Sequence, residues 1–289
     1  MPEALQQLTW VQWVEPDVLI SLLPFAAAYL WVVGPQGRKH FRGSAPVPAG
    51  QLVAFLIGLA FIYVGFGGPL DVLADGYLFT AHMTQHALLT MVSAPLLLIG
   101  TPAWLVEPLL DWRPTRGIVT FLTRPLIGSA FFAIMLCLSI WPPFYDLTEL
   151  SPPAHFLEHA FYLIAALALW WPVWSQTERL PRLQPIKRML YLFLNTLPMI
   201  TPLLLVIFQT HPIYPYYDHT PRLFGLTQLG DQQLGANVMA VIMHISLIGS
   251  FAVTFIQWAR SERALEPHPR PQLRVVPPLH PDAGGARRS

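Results

Sequence analysis

The chain has a single cysteine, Cys137, and few charged residues. One cysteine cannot form a disulfide within the chain, and it excludes a metal site built from several cysteines. Lysine, arginine, aspartate and glutamate make up 11% of the 289 residues, against about 25% in a typical soluble domain. The net charge of +1 gives no reason to expect a nucleic-acid partner. These shortages point away from a soluble protein.

Long apolar runs are abundant instead, because 54% of the residues are hydrophobic. A bilayer-spanning helix needs about 20 residues, and seven runs approach that length. We expect the spans near residues 18–33, 51–70, 77–100, 124–141, 155–174, 189–209 and 236–258. The sequence therefore predicts an all-α polytopic membrane protein with seven transmembrane helices. The helical domain would cover residues 1–262, and the proline-rich polar tail, 263–289, is predicted to be disordered.

The basic residues indicate how such a bundle is oriented. In the seven-span arrangement every lysine and arginine except Arg222 falls in loops or a tail on one side. Cytoplasmic segments carry the excess of lysine and arginine, so this side is predicted to be cytoplasmic. The N-terminus would then lie outside and the C-terminus inside. The first residues lack the basic region of a signal peptide, so we expect the first run to be retained as a span.

Histidines are concentrated toward the predicted outer ends of the spans. The segment "HMTQH" carries His82 and His86, and "HFLEH" carries His155 and His159. Residues four apart lie on one face of a helix, so each pair can direct both rings to one place. His244 lies about two turns into the seventh span, at a depth similar to that of His86. Polar residues inside spans usually face the bundle interior or a water-filled cavity.

Neutral imidazole is the commonest protein metal ligand, and it suits copper, zinc and iron. The methionines Met83, Met239 and Met243 lie nearby, and thioether sulfur favours cuprous copper. Glu158 is placed to orient an imidazole by accepting a hydrogen bond from the ring nitrogen that does not bind the metal. We take the candidate metal ligands to be His82, His86, His155, His159, His244 and Asp231.

Each of these residues also has a structural interpretation. His244 alone fits a hydrogen-bonded residue of the helix bundle, and Asp231 fits a cap for the seventh helix. The methionines fit gap-filling side chains of the core. The two histidine pairs together are the stronger indication of a metal or haem site, because packing alone does not require them to share one side and one depth.

Four motifs in this order on a seven-span chain resemble the CtaG-type, multi-span cytochrome c oxidase assembly factors. They are "AHMTQHALLTMVSAPLLLIGTP", "HFLEHAFYL", "PIYPYY" and "LGDQQLGANVM". The resemblance covers about residues 13–258. The family's histidine pairs correspond to His82, His86, His155 and His159, and its Asp-Gln motif to Asp231 and Gln232. Asn237 and Ala240 depart from the family pattern around Met239, and His244 has no assigned counterpart.

The resemblance implies a role in maturing a haem–copper oxidase in the bacterial cytoplasmic membrane, by handling copper rather than by catalysis. Its partners would be oxidase subunits, periplasmic copper chaperones and the lipid bilayer. Copper would arrive from the outer side past an entrance lined by His211, Tyr214, Tyr217, Asp218 and His219. The alternatives are a membrane redox protein in which haem b lies between His86 and His159, a transporter, and a metal-free assembly scaffold.

Overall fold

The structure is a computed structural model that describes residues 9–265, and every regular element within them is helical. Short 3₁₀ turns occupy Gly37–His40 and Pro215–Tyr217. A π-helical segment, Leu88–Ser93, joins α5 to α6. The α-helices in chain order are α1 (Trp10–Val14), α2 (Pro16–Val33), α3 (Ala49–Phe66), α4 (Pro69–Ala74), α5 (Phe79–Ala87), α6 (Ala94–Gly100), α7 (Ala103–Asp111), α8 (Arg113–Leu122), α9 (Pro125–Ser139), α10 (Pro142–Glu149), α11 (Pro152–Trp174), α12 (Pro185–Ile207) and α13 (Gln228–Leu265).

Six helical stretches are long and apolar enough to cross a bilayer, and each overlaps a predicted span. They are Trp10–Val33, Ala49–Ala74, Phe79–Gly100, Pro152–Trp174, Pro185–Ile207 and Gln228–Ala264. The prediction of an all-α protein with several helices able to span a membrane is therefore confirmed, with six such helices among the described residues. The orientation of the termini stays a prediction.

The predicted fourth span, 124–141, is shorter than expected. Helix α9 has 15 residues, which is about 22 Å against a hydrocarbon thickness of about 30 Å. It meets the length of a span only together with α8, and the two are bent by 77°. The break is at Arg124, which is extended because a residue before proline avoids the helical region. Residues 9–265 therefore contain six candidate spans, or seven if this bent pair counts as one.

The last helix exceeds its predicted bounds at both ends. Helix α13 has 38 residues, or about 57 Å, and so extends well beyond the predicted 236–258. It continues to Leu265, three residues past the predicted domain boundary at 262. The rest of the predicted disordered tail, 266–289, lies outside the described residues.

The third span is the central element of the bundle. In the apolar part of the third span, 67% of the residues are buried inside the protein. In the apolar part of the first span, only 6% are buried. Helix α5 packs on α13, and α6 packs on α3 and α11. The segment that carries the first histidine pair is therefore surrounded by other spans rather than by lipid.

The π-helical segment has an identifiable cause in Pro95. Proline has no N–H, so the carbonyls of Thr90 and Met91, five and four residues earlier, lose their helical donor. Trp170 Nε1 donates to Thr90 O at 2.9 Å, and Ser246 Oγ donates to Met91 O at 2.6 Å. Side chains from α11 and α13 thus replace the missing backbone bonds, as the bilayer interior requires. This fixes α5 and α6 against both helices.

Candidate metal centre

Helix α5, which carries His82 and His86, is held at its first turn by another helix. Asp231 Oδ2 accepts a hydrogen bond from Phe79 N at 2.7 Å, and Asp231 Oδ1 accepts from Thr80 N at 3.1 Å. Thr80 Oγ1 also donates to Asp231 O at 2.9 Å. A carboxylate that accepts from the first free amides of a helix satisfies them and complements the helix dipole. Asp231 of α13 therefore sets where α5 begins.

The second histidine pair lies in the first turns of α11. This helix starts at Pro152, whose fixed backbone angle suits the first helical position. The short helix α10 comes directly before it and ends at Glu149. Helix α10 packs on α11, so the carboxylate of Glu149 is brought next to the rings of the pair.

The four histidines meet in one pocket, as their spacing predicted. The ring centroids of His82 and His86 lie 4.4 Å apart, and those of His155 and His159 also lie 4.4 Å apart. Across the two helices, His82 lies 5.2 Å from His155 and 5.7 Å from His159, and His86 lies 4.7 Å from His159. The Nε2 atoms of His155 and His159 are 2.6 Å apart.

Polar atoms in the pocket are buried without hydrogen-bond partners. Buried polar groups in proteins are nearly always hydrogen-bonded, so a cluster of exceptions needs an explanation. Within the described residues the pocket holds six such atoms: His82 Nε2, His86 Nδ1 and Nε2, His159 Nδ1, and both carboxylate oxygens of Glu158. These are the nitrogen and oxygen atoms that bind transition metals.

Two carboxylates give the pocket a negative character. Glu149 Oε1 lies 3.0 Å from His82 Nδ1 and 3.9 Å from His155 Nε2. Burial acts to raise the pKa of Glu149, but the His82 and His155 rings outweigh it and the pKa lies below its ordinary value. Glu158 is 2% exposed. In the described part of the chain, no lysine or arginine lies within 4.0 Å of either carboxylate. Buried carboxylates are normally paired or bound to a metal.

The potential ligand atoms form two groups of three that share one histidine. One group consists of His82, His155 and His159, and the other of His82, His86 and Glu158. Within each group the donor atoms all lie within 4.8 Å of one another. Small adjustments of the side chains would bring either group around an ion.

The structure does not bring Asp231 and His244 into either group. Both oxygens of Asp231 accept from the amides at the start of α5. At the start of α13 itself, Thr227 Oγ1 accepts from Gly230 N at 3.0 Å. The assignment of Asp231 and His244 as metal ligands stays a prediction. His244 Nδ1 lies 2.7 Å from Ala240 O, one turn earlier in the same helix. His244 is thus placed as a hydrogen-bonded residue of the bundle.

The sequence of this chain matches the family described as cytochrome c oxidase caa3 assembly factor (Caa3_CtaG), over residues 27–261. This chain belongs to that family. No curated protein and no solved structure gives a significant match. The resemblance seen in the motifs is therefore confirmed. It makes the chain a cytochrome c oxidase assembly factor of the caa3 type by family, and its apolar helices make it a multi-pass membrane protein.

The other motifs that suggested the CtaG family have structural roles around the pocket. Gln232 Oε1 accepts from Ile213 N at 2.9 Å, and Gln228 Nε2 donates to Tyr214 O at 3.0 Å. These bonds hold the "PIYPYY" loop on α13. Tyr214 and Tyr217 are 1% and 2% exposed, so they do not line an entrance as expected; they pack on Phe79. His211, Asp218 and His219 are exposed.

Two residues of the CtaG-family pocket were missed by sequence reasoning. Tyr145 lies with its ring 5.2 Å from that of His82, and its hydroxyl lies 2.6 Å from that of Tyr217. Burial, followed by Tyr217 and Glu149, raises the pKa of Tyr145, so its hydroxyl stays protonated. Glu149 is the other. The available signal was the acidic residue close before "HFLEH" in a predicted outer loop. The methionines that the sequence placed near the histidines, Met83, Met239 and Met243, are all buried in the hydrophobic core.

Proposed function

We propose that this assembly factor binds one copper ion in the histidine pocket and passes it to a cytochrome c oxidase subunit during assembly. The observation that carries the proposal is the set of six buried, unpartnered nitrogen and oxygen atoms in a pocket whose two carboxylates lack a lysine or arginine partner among the described residues. A cation bound there would satisfy these atoms and offset the buried negative charge. The function is assembly rather than catalysis, in keeping with the family.

The donor set fits copper as a cargo. Imidazole nitrogen suits copper, and the high position of Cu²⁺ in the order of divalent-metal affinities favours it at a nitrogen and oxygen site. Cys137, the single cysteine, is exposed and belongs to neither ligand group. A site without a thiolate is expected to bind less tightly than a cysteine site, which suits release to a client.

The side chain of His155 is 18% exposed, whereas that of His82 is fully buried. His155 is therefore more accessible than His82, and we place the arrival of the ion at this end of the pocket. With the predicted orientation, this end faces the outside of the bacterial cytoplasmic membrane. Periplasmic copper chaperones would deliver the ion, and an oxidase subunit in the same bilayer would receive it.

A haem b is less well supported than a bare ion. Two axial nitrogens at about 2 Å on opposite sides of an iron place the imidazole ring centres roughly 6 Å apart. The rings of His86 and His159 are 4.7 Å apart and nearly perpendicular, at 87°. A porphyrin would need both to move. A metal-free scaffold is the remaining alternative, and it gives no account of the unpartnered atoms.

Elemental analysis of the purified protein tests the proposal. We expect about one copper per chain in the wild type and little in a variant with His82, His86, His155 and His159 all changed to alanine. The matched control changes the exposed loop residues His211 and His219 to alanine and should keep its copper. In cells, the quadruple variant should yield oxidase that lacks copper and activity. Active, copper-loaded oxidase with this variant would support the scaffold instead.

A further inference from the structure

The pocket offers more ligands than one ion can bind at once. Two ligands of the same ion, each about 2.2 Å from it, are at most about 4.4 Å apart. Among the described residues, two groups of three have donor atoms that all lie within 4.8 Å of one another, which is close to this limit. Each group includes His82. His155 and His159 complete one group with His82, and His86 and Glu158 complete the other. The geometry therefore describes two overlapping coordination positions.

The two positions differ in access to solvent. The outer position contains His155, whose side chain is 18% exposed. The inner position is formed by His82 and His86, both 0% exposed, and Glu158, which is 2% exposed. An ion in the outer position can be reached from solution, and an ion in the inner position is enclosed by protein.

The two positions also differ in charge. The outer group consists of three imidazoles, which are neutral when they bind a metal. Glu149 lies beside His82 and His155 but is not one of the three ligands. The inner group replaces one imidazole with the carboxylate of Glu158. A carboxylate adjacent to a cation in a buried site is attracted more strongly than it would be in water. The inner position is therefore expected to hold an ion longer than the outer one.

We infer that the pocket is a two-step relay for copper. The outer group, His82 with His155 and His159, captures the ion, and the inner group, His82 with His86 and Glu158, retains it. This inference rests on the proposed copper function. The transfer is a ligand exchange: the bonds to His155 and His159 break, bonds to His86 and Glu158 form, and His82 remains bound. The oxidation state of the ion does not change, and no co-reactant is needed.

The relay predicts that each group can bind copper without the other. We compare a His86→Ala/Glu158→Gln variant, which keeps the outer group, with a His155→Ala/His159→Ala variant, which keeps the inner group. Each should retain about one copper per chain, whereas His82→Ala should retain little. The His244→Ala control should match the wild type. Circular dichroism and size-exclusion chromatography check folding, and glutamine replacements of the same residues provide a second set closer in size.

The rate of copper removal by a water-soluble chelator distinguishes the two positions. Dissociation rates carry most differences in affinity between related sites, and we expect removal from the inner-group variant to be at least about tenfold slower than from the outer-group variant. Equal rates, or faster removal from the inner-group variant, would overturn the relay. So would loss of copper from both double variants with both folded, because that result indicates one indivisible site. A wild type without copper would instead refute the proposed function itself.

Discussion

Two clusters of charged residues in this protein are built in opposite ways. In the first, Arg179 Nη1 lies 2.8 Å from Glu107 and 2.8 Å from Asp111, and all three side chains are partly exposed. Thr177 Oγ1 also donates to Glu107 at 2.8 Å. This clasp joins α7 to the segment that follows α11. In the second, the histidine pocket, Glu149 and Glu158 are buried without a basic partner other than histidine.

The difference separates a structural ion network from a functional site. The charges of the clasp satisfy one another, so nothing further has to bind there. Solvent-exposed pairs of this kind contribute little to stability. The polar atoms of the pocket satisfy one another poorly, so the metal-free pocket is expected to be destabilising. Such sites persist when a ligand supplies the missing interactions.

Replacing Glu149 with glutamine gives the largest expected effect in this comparison. Copper affinity should fall roughly 10- to 100-fold, as for other residues that orient metal ligands, and the metal-free protein should melt at a lower temperature because the pairing with His82 that lowers the pKa of Glu149 is lost. Copper titration and thermal melts of the same samples measure both quantities. The matched control is Glu107→Gln in the clasp, which should leave copper affinity unchanged. If Glu107→Gln lost copper affinity and Glu149→Gln kept it, the distinction between a structural ion network and a functional site would be wrong.

This effect should depend on pH in a defined direction. Because the pKa of Glu149 is lowered, its carboxylate stays charged throughout the neutral and mildly acidic range. The difference in copper affinity between wild type and Glu149→Gln is therefore present at pH 7. It should disappear only as the pH falls below the ordinary titration range of glutamate, where the carboxyl group becomes protonated. A difference that disappears between pH 7 and 6 would contradict this assignment.

Asp231 sharpens the comparison because it is a buried carboxylate with satisfied oxygens. Asp231→Ala should lower the free energy of unfolding by roughly 2–3 kcal/mol, since two helix-start amides lose their acceptor. Copper binding should weaken as well, because α5 positions His82 and His86. Asp231→Asn keeps one acceptor oxygen and should cost less. An Asp231→Ala variant that loses copper with unchanged stability would indicate that Asp231 is a ligand.

The side chains that support the π-helical segment should have a smaller effect. Trp170→Phe leaves the buried carbonyl of Thr90 without a donor and should cost about 1–3 kcal/mol. Ser246→Ala acts on the less enclosed carbonyl of Met91 and should cost less. Thermal unfolding followed by circular dichroism gives the order of the two. If Ser246→Ala lowers the stability more than Trp170→Phe does, our explanation of the π-helical segment by the missing N–H of Pro95 is wrong.

The smallest effect is expected at the clasp. Arg179→Gln removes both ion pairs, but these are exposed and screened by solvent. The melting temperature should change by a few degrees at most, and copper content should not change. The measurement is a melt at low and at high salt, where the small difference from wild type should shrink as salt rises. A large loss of stability would show that the clasp does more than join two segments.

Sequence reasoning predicted the features that depend on residues close together in the chain. The apolar runs gave six of the spans, and the four-residue spacing of His82 and His86 gave one face of one helix. The convergence of the two pairs followed from their shared side and depth. The shortness of α9 was less apparent, although Pro125 and Pro142 bound it on both sides.

What the sequence could not predict depends on contacts between distant segments. Asp231 accepts a hydrogen bond from Phe79, which is 152 residues away in the sequence. The residues next to Asp231 in the sequence do not reveal that its carboxylate oxygens already accept hydrogen bonds. Glu149 enters the pocket because α10 folds back on α11, which depends on packing. His244 has the depth of a ligand but turns to a carbonyl of its own helix. A helical position alone does not determine the direction of a side chain.

X-ray absorption at the copper edge of the loaded wild-type protein tests the central claim most directly. Coordination by the histidine pocket predicts nitrogen or oxygen neighbours at about 2.0 Å, with the outer-shell scattering that imidazole rings produce and no sulfur. A sulfur shell near 2.3 Å would place the ion at Cys137 or a methionine instead. That result would contradict the assignment of the buried histidines and carboxylates as the copper site.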